Sequence, residues 1–525
     1  MDGNEKGIDR RTFMKTAFAA TAGLTVAAAA SEWAFARSVT SPELADLSLA
    51  DLSRMVRRGE ITAMRLVELH LERITRFDGR EGLNAYLTVT ADAALKQAEE
   101  LDKLAKSKRF KGLLHGMPIA IKDNLDTQGV RTTGGTKILA DWRPPSDAHV
   151  IKKLKDAGAI ILGKTNMHEL AFGVTTNNPH YGPTRNPYDV SRIPGGSSGG
   201  SAAATAAGLC AGALGSDTGG SVRIPAALCG VVGFKPSFGR VGRGGLMYLS
   251  FSRDVIGPIT RTVTDTALML EAMSGPDPRD LESVNRPVPH YATLLKGTLK
   301  GKNFGVPKNF FFDVIHPDTK KVFDDAVREI EKMGGTVKEV QVKDTNLLAT
   351  QITQVLPECI FLIEDYLKAF DPQATIDKYL DQLGPDVKAT LGSQKGLPDS
   401  KPVPGYVYVK TMRESRLKIA AGFEEAMRGL DALLVPTTVM PASKIGEDAE
   451  LDLEGKKLPT MPTFTRNANP FNVINYPAIT VPAGYSQAGL PIGLQIVARP
   501  WEDAKLLSIA YVFEQATKVR RAPKL

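Results

Sequence analysis

The chain has 525 residues, 42% hydrophobic and 24% charged, the composition of a soluble globular enzyme able to bury a large core without disulfide staples. The net charge of +8 comes from basic residues that alternate with acidic ones, with no basic run interleaved with aromatics, so the pattern reads as a solvated mixed-charge surface and no nucleic-acid partner is expected. Cys210, Cys229 and Cys359 match no zinc spacing and form no disulfide framework; they read as buried thiols.

At the amino terminus, Arg10-Arg11-Thr12-Phe13-Met14-Lys15 precedes an apolar run from Ala17 to Ala30 and then Ala34-Phe35-Ala36. A charged region, a short apolar region and an A-x-A site in that order predict an export signal, and the paired arginines predict the twin-arginine route. The run is short and alanine-rich for a membrane span of roughly 20 residues. The expected location is therefore the periplasm, with residues 1–36 removed near Ala36 and no stable membrane insertion afterwards. Removal takes four basic residues (Lys6, Arg10, Arg11, Lys15) and four acidic ones (Asp2, Glu5, Asp9, Glu32), so the charge of +8 persists.

From Leu47 to about Leu104 the pattern is helical and amphipathic, as in Leu66, Leu69, Leu71 and Ile74. Met117 to Ile121 reads as a short apolar strand ending at Lys122-Asp123-Asn124, and Ala159 to Gly163 as a second strand after a helical stretch. This alternation predicts an α/β sheet with helices packed on it. Residues 194–235 are dominated by glycine, serine and alanine; two glycine clusters flank a helix-like Ala202–Ala207 stretch, and Asp217, Arg223 and Pro225 are interspersed. That organisation argues against a low-complexity linker and for tight backbone turns and close approach to a substrate. Asp318 is a candidate cap for a helix carrying Val322, Ala326 and Ile330, and Val340-Gln341-Val342 reads as strand. Proline-rich breaks near 275–289 and 397–404 mark 290–410 as a lobe beside the main sheet. Two strands, Ala478 to Val481 and Gly493 to Val497, and a helix from about Ala504 to Ala516 close the chain.

The glycine clusters are Gly195-Gly196-Ser197-Ser198-Gly199-Gly200-Ser201 and Asp217-Thr218-Gly219-Gly220-Ser221-Val222-Arg223. Neither ends in the Gly-Lys-[Ser/Thr] of a phosphate loop, and neither is a dinucleotide fingerprint after a clear strand. The second cluster suits a nucleophile, Ser221, at a helix start, with the N–H groups of Thr218 to Ser221 converging on a developing oxyanion. For the base, Gly195 to Gly199 matches G-x-S-x-G only formally, since no apolar strand leads into it, and His168-Glu169 lacks the second histidine of a zinc protease. Lys122 is the other candidate, because it directly follows an apolar strand that can desolvate its amine. Most lysines are merely solvated, so the residues alone leave the base open.

Three segments closely resemble the amidase signature family: G-M-P-I-A-I-K-D-N around Lys122, P-G-G-S-S-G-G-S around Ser197 and D-T-G-G-S-V-R-I-P-A around Ser221, with 24 positions between the two serines. The resemblance is strongest over about 110–265 and 430–515. It implies an α/β fold in which helices cover both faces of a large mixed sheet, with residues 37–525 as one amidase domain. It implies Ser221 as nucleophile, Ser197 as a bridging serine reached through a cis peptide from Gly196, and neutral Lys122 as base and then acid. Thr218, Gly219, Gly220 and Ser221 would form the oxyanion hole; Ser198, Asp217 and Arg223 would support them by hydrogen bonds. No metal or organic cofactor is implied. The partner is a small-molecule amide, and a homodimer is an open arrangement.

His168 to Gly173, Thr175 to Asn178, and Ser252-Arg253-Asp254 ahead of Gly257-Pro258 look most like indoleacetamide and mandelamide hydrolases, which release ammonia from aryl-substituted acetamides. The alternatives are an exported peptide amidase, an aryl acylamidase or carbamate hydrolase, a transamidosome subunit, and a binding protein without turnover. Substrate selection is expected from the 290–410 lobe and the segment from Phe464 to Phe471.

Overall fold

The computed structural model describes residues 41–350, 356–394 and 402–525. The chain divides into Met1–Thr40 and Ser41–Leu525, and the export signal expected over 1–36 lies outside the described residues. No helix among the described residues is long and apolar enough to cross a membrane.

The described residues form an eleven-stranded mixed sheet. In chain order its strands are β1 (Tyr86–Val89), β2 (Pro118–Lys122), β3 (Ile160–Thr165), β4 (Gly212–Asp217), β5 (Val232–Lys235), β6 (Val255–Thr260), β7 (Asn303–Pro307), β8 (Thr336–Val340), β9 (Ala432–Pro436), β10 (Ala478–Tyr485) and β11 (Pro491–Val497). Their spatial order is β1-β3-β2-β4-β6-β5-β10-β11-β9-β7-β8. Every residue of β2, β3, β4 and β6 is buried, as expected of central strands covered on both faces.

Several expectations need correcting. The helical reading of 47–104 holds for Leu49–Arg58, Ala63–Phe77 and Ala91–Lys106, but Tyr86–Val89 interrupts it as a four-residue edge strand antiparallel to β3. A strand so short, buried only at its first residue, carries too little alternation to be read locally. The cap of the helix Pro317–Lys332 is His316, whose ring nitrogen accepts from the Asp318 N–H at 3.1 Å; Pro317, with no N–H to satisfy, occupies the first turn. The strand expected at Val340 ends there instead.

The 290–410 stretch is also not one lobe. Its first part supplies β7 and β8, which pair in parallel at the sheet edge, and β7 also pairs with β9. Its helical part buries Cys359, Ile363, Leu367, Val387 and Leu391 against Met167, Leu170, Phe172, Met247 and Leu249, the loops around the strand ends that carry Lys122 and Asp217.

Candidate active site

Parallel β2 and β4 pair through Ile121 opposite Leu214, which carries their carboxyl ends, Lys122 and Ser216-Asp217, to the same sheet edge. In open α/β sheets such an edge is where ligands sit. The fully buried helix Gly199–Ala206 starts just above it. Its small residues allow that approach: a Cβ on Gly200 would lie 2.4 Å from the Asn166 carbonyl oxygen. At this position the glycine serves packing of one protein segment against another at atomic contact.

Lys122 has no exposed surface. Its Nζ donates to Ser197 Oγ at 2.7 Å and to Ser216 Oγ at 2.9 Å; Asn124 Nδ2 also donates to Ser216 Oγ at 3.0 Å. Burial lowers the amine to about 7, against the opposing pull of Asp254 and Asp217, because desolvation penalises the charged form. Two further lysines, Lys164 and Lys235, are equally buried, but their partners include backbone carbonyls. Lys164 donates to Leu125 O and Thr132 Oγ1, both at 2.6 Å, and Lys235 to Tyr476 O at 2.9 Å. A carbonyl only accepts and so favours the ammonium, whereas a hydroxyl can also donate to a neutral amine. Both of Lys122's partners are hydroxyls.

The Gly196–Ser197 peptide is cis. Ser198 joins the two glycine clusters: its N–H donates to Ser221 O at 3.3 Å and its hydroxyl to Ser216 O at 3.3 Å. Ser221 is 9% exposed and lines a cavity of about 220 Å³. Among the described residues no hydrogen bond joins Ser197 to Ser221; the structure links Lys122 to Ser197 and sets Ser221 beside them through Ser198.

Asp217 organises the loop that carries Ser221. Its carboxylate accepts from Gly220 N at 2.8 Å and Val222 N at 3.1 Å, and from Arg223 Nε and Nη2, both at 3.0 Å. Burial pushes its carboxyl up, but the Arg223 guanidinium and Asn472 hold it well below the usual carboxylate range. Asn472 Nδ2 donates to Asp217 Oδ1 at 2.7 Å, and Arg223 reaches Gln495 Oε1 at 2.5 Å. Asn472 and Gln495 lie some 250 residues or more from Asp217 and Arg223, and nothing in their local sequence marked them.

The expected oxyanion hole needs one correction. The Gly220 N–H is committed to Asp217, so it holds the loop in place of the substrate. The N–H groups of Thr218, Gly219 and Ser221 have no protein acceptor among the described residues, and all three residues line the cavity. The Thr218 hydroxyl donates to Asp254 Oδ1 at 2.5 Å, and burial raises that carboxyl to about 6. Asp254 also accepts from Leu249 N and Ser250 N, while Glu358, from the helical part of 290–410, accepts from the Ser250 and Ser252 hydroxyls at 2.6 and 2.8 Å. Asp254 and Glu358 thus tie the cavity wall to the loop that carries Thr218 and Ser221.

The other cavity walls are Ala171 to Val174, Leu249, Arg253, Leu356, Thr390, Met461, Thr465 and Asn469; of these, Leu356 and Thr390 fall within 290–410 and Thr465 and Asn469 within 464–471, and the rest lie outside both segments. His168 does not face the chemistry: its Nε2 lies 2.7 Å from Asp386 Oδ2, which pins the wall segment to the helix Pro385–Gly392.

Asp217→Asn is expected to lower unfolding stability by about 3–5 kcal/mol, because it leaves the Arg223 guanidinium buried without its counter-charge. Urea denaturation reads this directly; an unchanged midpoint would show that the pair contributes nothing.

A family model described as Amidase matches residues 65–507. The chain is 41% identical over 502 residues to a glutamyl-tRNA(Gln) amidotransferase subunit from Moorella thermoacetica, covering 92% of this chain and 99% of that protein. It is similar in structure to a peptide amidase of Stenotrophomonas maltophilia, with 32% identity, a TM-score of 0.81 and coverage of 92% and 99%. A bacterial aryl acylamidase is likewise similar, with 25% identity, a TM-score of 0.81 and coverage of 90% and 96%.

Proposed function

The chain belongs to the amidase signature family, enzymes of amide C–N bonds, and from that premise we propose that it hydrolyses small carboxamides with an apolar, aryl-bearing acyl group, through an acyl-enzyme on Ser221. The observation that carries this reading is the buried Lys122 amine, hydrogen-bonded to two hydroxyls, beside a mainly apolar cavity that holds Ser221 and three open N–H groups.

With substrate seated, Ser221 Oγ turns toward Ser197 and attacks the amide carbon. Its proton passes through the Ser197 hydroxyl to the neutral Lys122 amine. The carbonyl oxygen becomes an oxyanion facing the N–H groups of Thr218, Gly219 and Ser221, where each such donor is worth about 3–4 kcal/mol to the transition state. Collapse breaks the C–N bond as the Lys122 proton returns through Ser197 to the leaving nitrogen. Water then clears the ester by the reverse relay. Hydrogen bonds of this kind often tighten only once substrate is bound.

The test is ammonia and acid release by the purified chain across arylacetamides, aliphatic amides and peptide amides. Arylacetamides are expected to give the highest kcat/KM; a clear preference for short aliphatic amides overturns the acyl-group assignment. The 41% identity to an amidotransferase component supports a second reading, in which the chain supplies ammonia to a partner. Turnover of arylacetamides without any partner favours the first; activity restricted to glutamine and dependent on added partner proteins favours the second. The export segment, with periplasmic location, belongs to this proposal and is read by amino-terminal sequencing of the protein from a periplasmic fraction.

A further inference from the structure

Among the described residues that line the cavity with Ser221, Arg253 is the only charged one; Phe172, Leu249, Leu356 and Met461 on the same walls are apolar. It is 3% exposed. Burial lowers its guanidinium to about 10, with Glu358 opposing the fall, so it stays a cation across the neutral range. A buried cation beside apolar walls costs free energy unless its surroundings compensate it. Resting on the amide-hydrolase reading above, we infer that Arg253 is the specificity-determining residue of this cavity: its flat guanidinium stacks on the aryl ring of the acyl group and selects electron-rich rings.

The wall holds Arg253 from both sides. Its N–H donates to Ser250 O at 3.4 Å, which closes a tight turn. The next residue, Asp254, accepts from Leu249 N at 2.7 Å, Ser250 N at 2.9 Å and the Thr218 hydroxyl at 2.5 Å, and so ties that turn to the loop of Ser221. On the other side, Glu358 accepts from the Ser252 and Tyr408 hydroxyls, both at 2.8 Å, and Arg416 Nη2 donates to Ser252 O at 3.4 Å. Arg253 is thus placed before substrate arrives, and stacking on it costs little further ordering.

The chemistry of the group favours a ring. All five guanidinium N–H bonds lie in one plane, so protein acceptors can take them at the edge while a flat face meets an aromatic ring. The chain makes the same contact elsewhere: the Arg243 guanidinium lies 4.7 Å from the centre of the Phe238 ring and 5.2 Å from that of Tyr248. A carboxylate on the acyl group is the other ligand that suits a buried cation. It would meet the charge of Glu358, which already opposes Arg253, and like charges at such a site repel. The volume agrees with a ring. An apolar cavity of about 150 Å³ accepts benzene, and about 220 Å³ adds room for a substituent and for the methylene that joins ring to amide.

The test compares 4-methoxyphenyl-, 4-nitrophenyl-, 4-carboxyphenyl- and cyclohexylacetamide. The methylene insulates the carbonyl, and the small electronic effect that passes it favours attack on the nitro compound. A preference for the methoxy compound therefore reports on contacts of the ring. In the wild type, kcat/KM for the methoxy compound is expected to exceed that for the nitro compound about tenfold. Arg253→Met, of similar length without charge or plane, should abolish that ratio and lower the methoxyphenyl-to-cyclohexyl ratio by about tenfold. Arg253→Lys, which keeps the cation, should retain part of both. A residue that served only the fold would lower every rate together, and unchanged ratios in Arg253→Met overturn the inference. So does a wild type that ranks the nitro compound level with or above the methoxy compound, or the carboxyl compound first; this measurement needs no variant to fold. In each of these cases turnover itself leaves the hydrolase reading intact. If the wild type turns over none of these amides, both readings fall.

Discussion

Replacing Ser221 with alanine is expected to lower kcat/KM for any amide substrate by at least about 10⁴-fold, roughly 5.5 kcal/mol of transition-state stabilisation. In the proposed mechanism the acyl-enzyme forms on this oxygen, and the neighbouring serine hydroxyls are otherwise engaged: Ser197 and Ser216 with the Lys122 amine, Ser198 with the Ser216 carbonyl. The loss should fall on kcat. Thr218 and Gly219 keep their open N–H groups and the cavity walls are untouched, so KM should move little. Stability should stay within about 1 kcal/mol, since the change removes one small group at the cavity surface. Labelling by a fluorophosphonate should vanish with turnover. A variant that keeps more than about a hundredth of wild-type kcat would remove Ser221 from the role of nucleophile.

The second large effect is expected at Lys122. Lys122→Arg and Lys122→Met should each lower kcat by about 10³-fold or more. Arginine restores a cation of similar reach, yet a guanidinium holds its proton throughout the working pH range. Loss in both variants therefore identifies proton transfer as the function, in place of charge or packing. The pH dependence follows from the same burial. Since the folded protein lowers the Lys122 amine to about 7, the neutral base predominates above that pH and disappears below it. Wild-type kcat/KM, which reports on the free enzyme, should therefore rise with pH, reach half its plateau near pH 7, and fall about tenfold per unit on the acid side. A flat profile between pH 5 and 9 would sink the assignment of Lys122 as the base.

Much of the core was legible because the signals are local. Strands β2 and β3 appear as short apolar runs bounded by turns, and the end of β2 at Lys122 placed a lysine where a strand would desolvate it. The glycine clusters are legible for the reason shown at Gly200: no other residue fits against the Asn166 carbonyl. Strand β1 was missed because its pairing with β3, more than 70 positions further along, decides its conformation. The assignment of β7 and β8 to a lobe failed similarly, since prolines mark breaks in the chain but not what the flanking strands pair with. Gly220 was expected to serve an oxyanion; its N–H instead meets a carboxylate from the same loop, a choice that depends on where Arg223 and Asn472 hold Asp217.

By itself the order of residues determined the chemical types and their loops: serines among glycines, a lysine at a strand end, an aspartate and an arginine flanking Ser221. These requirements are met within a few residues, through backbone shape and steric room. Only the tertiary structure decided which buried lysine has hydroxyls alone as its hydrogen-bond partners among the described residues, the observation on which the proposal of a base rests. Lys122, Lys164 and Lys235 are all wholly buried, and what separates Lys122 is a pair of hydroxyls 75 and 94 positions away. Those partners arrive because β2 and β4 run parallel with their carboxyl ends together. The proton affinity of a buried amine depends on what surrounds it in space, and folding brings those surroundings from distant parts of the chain.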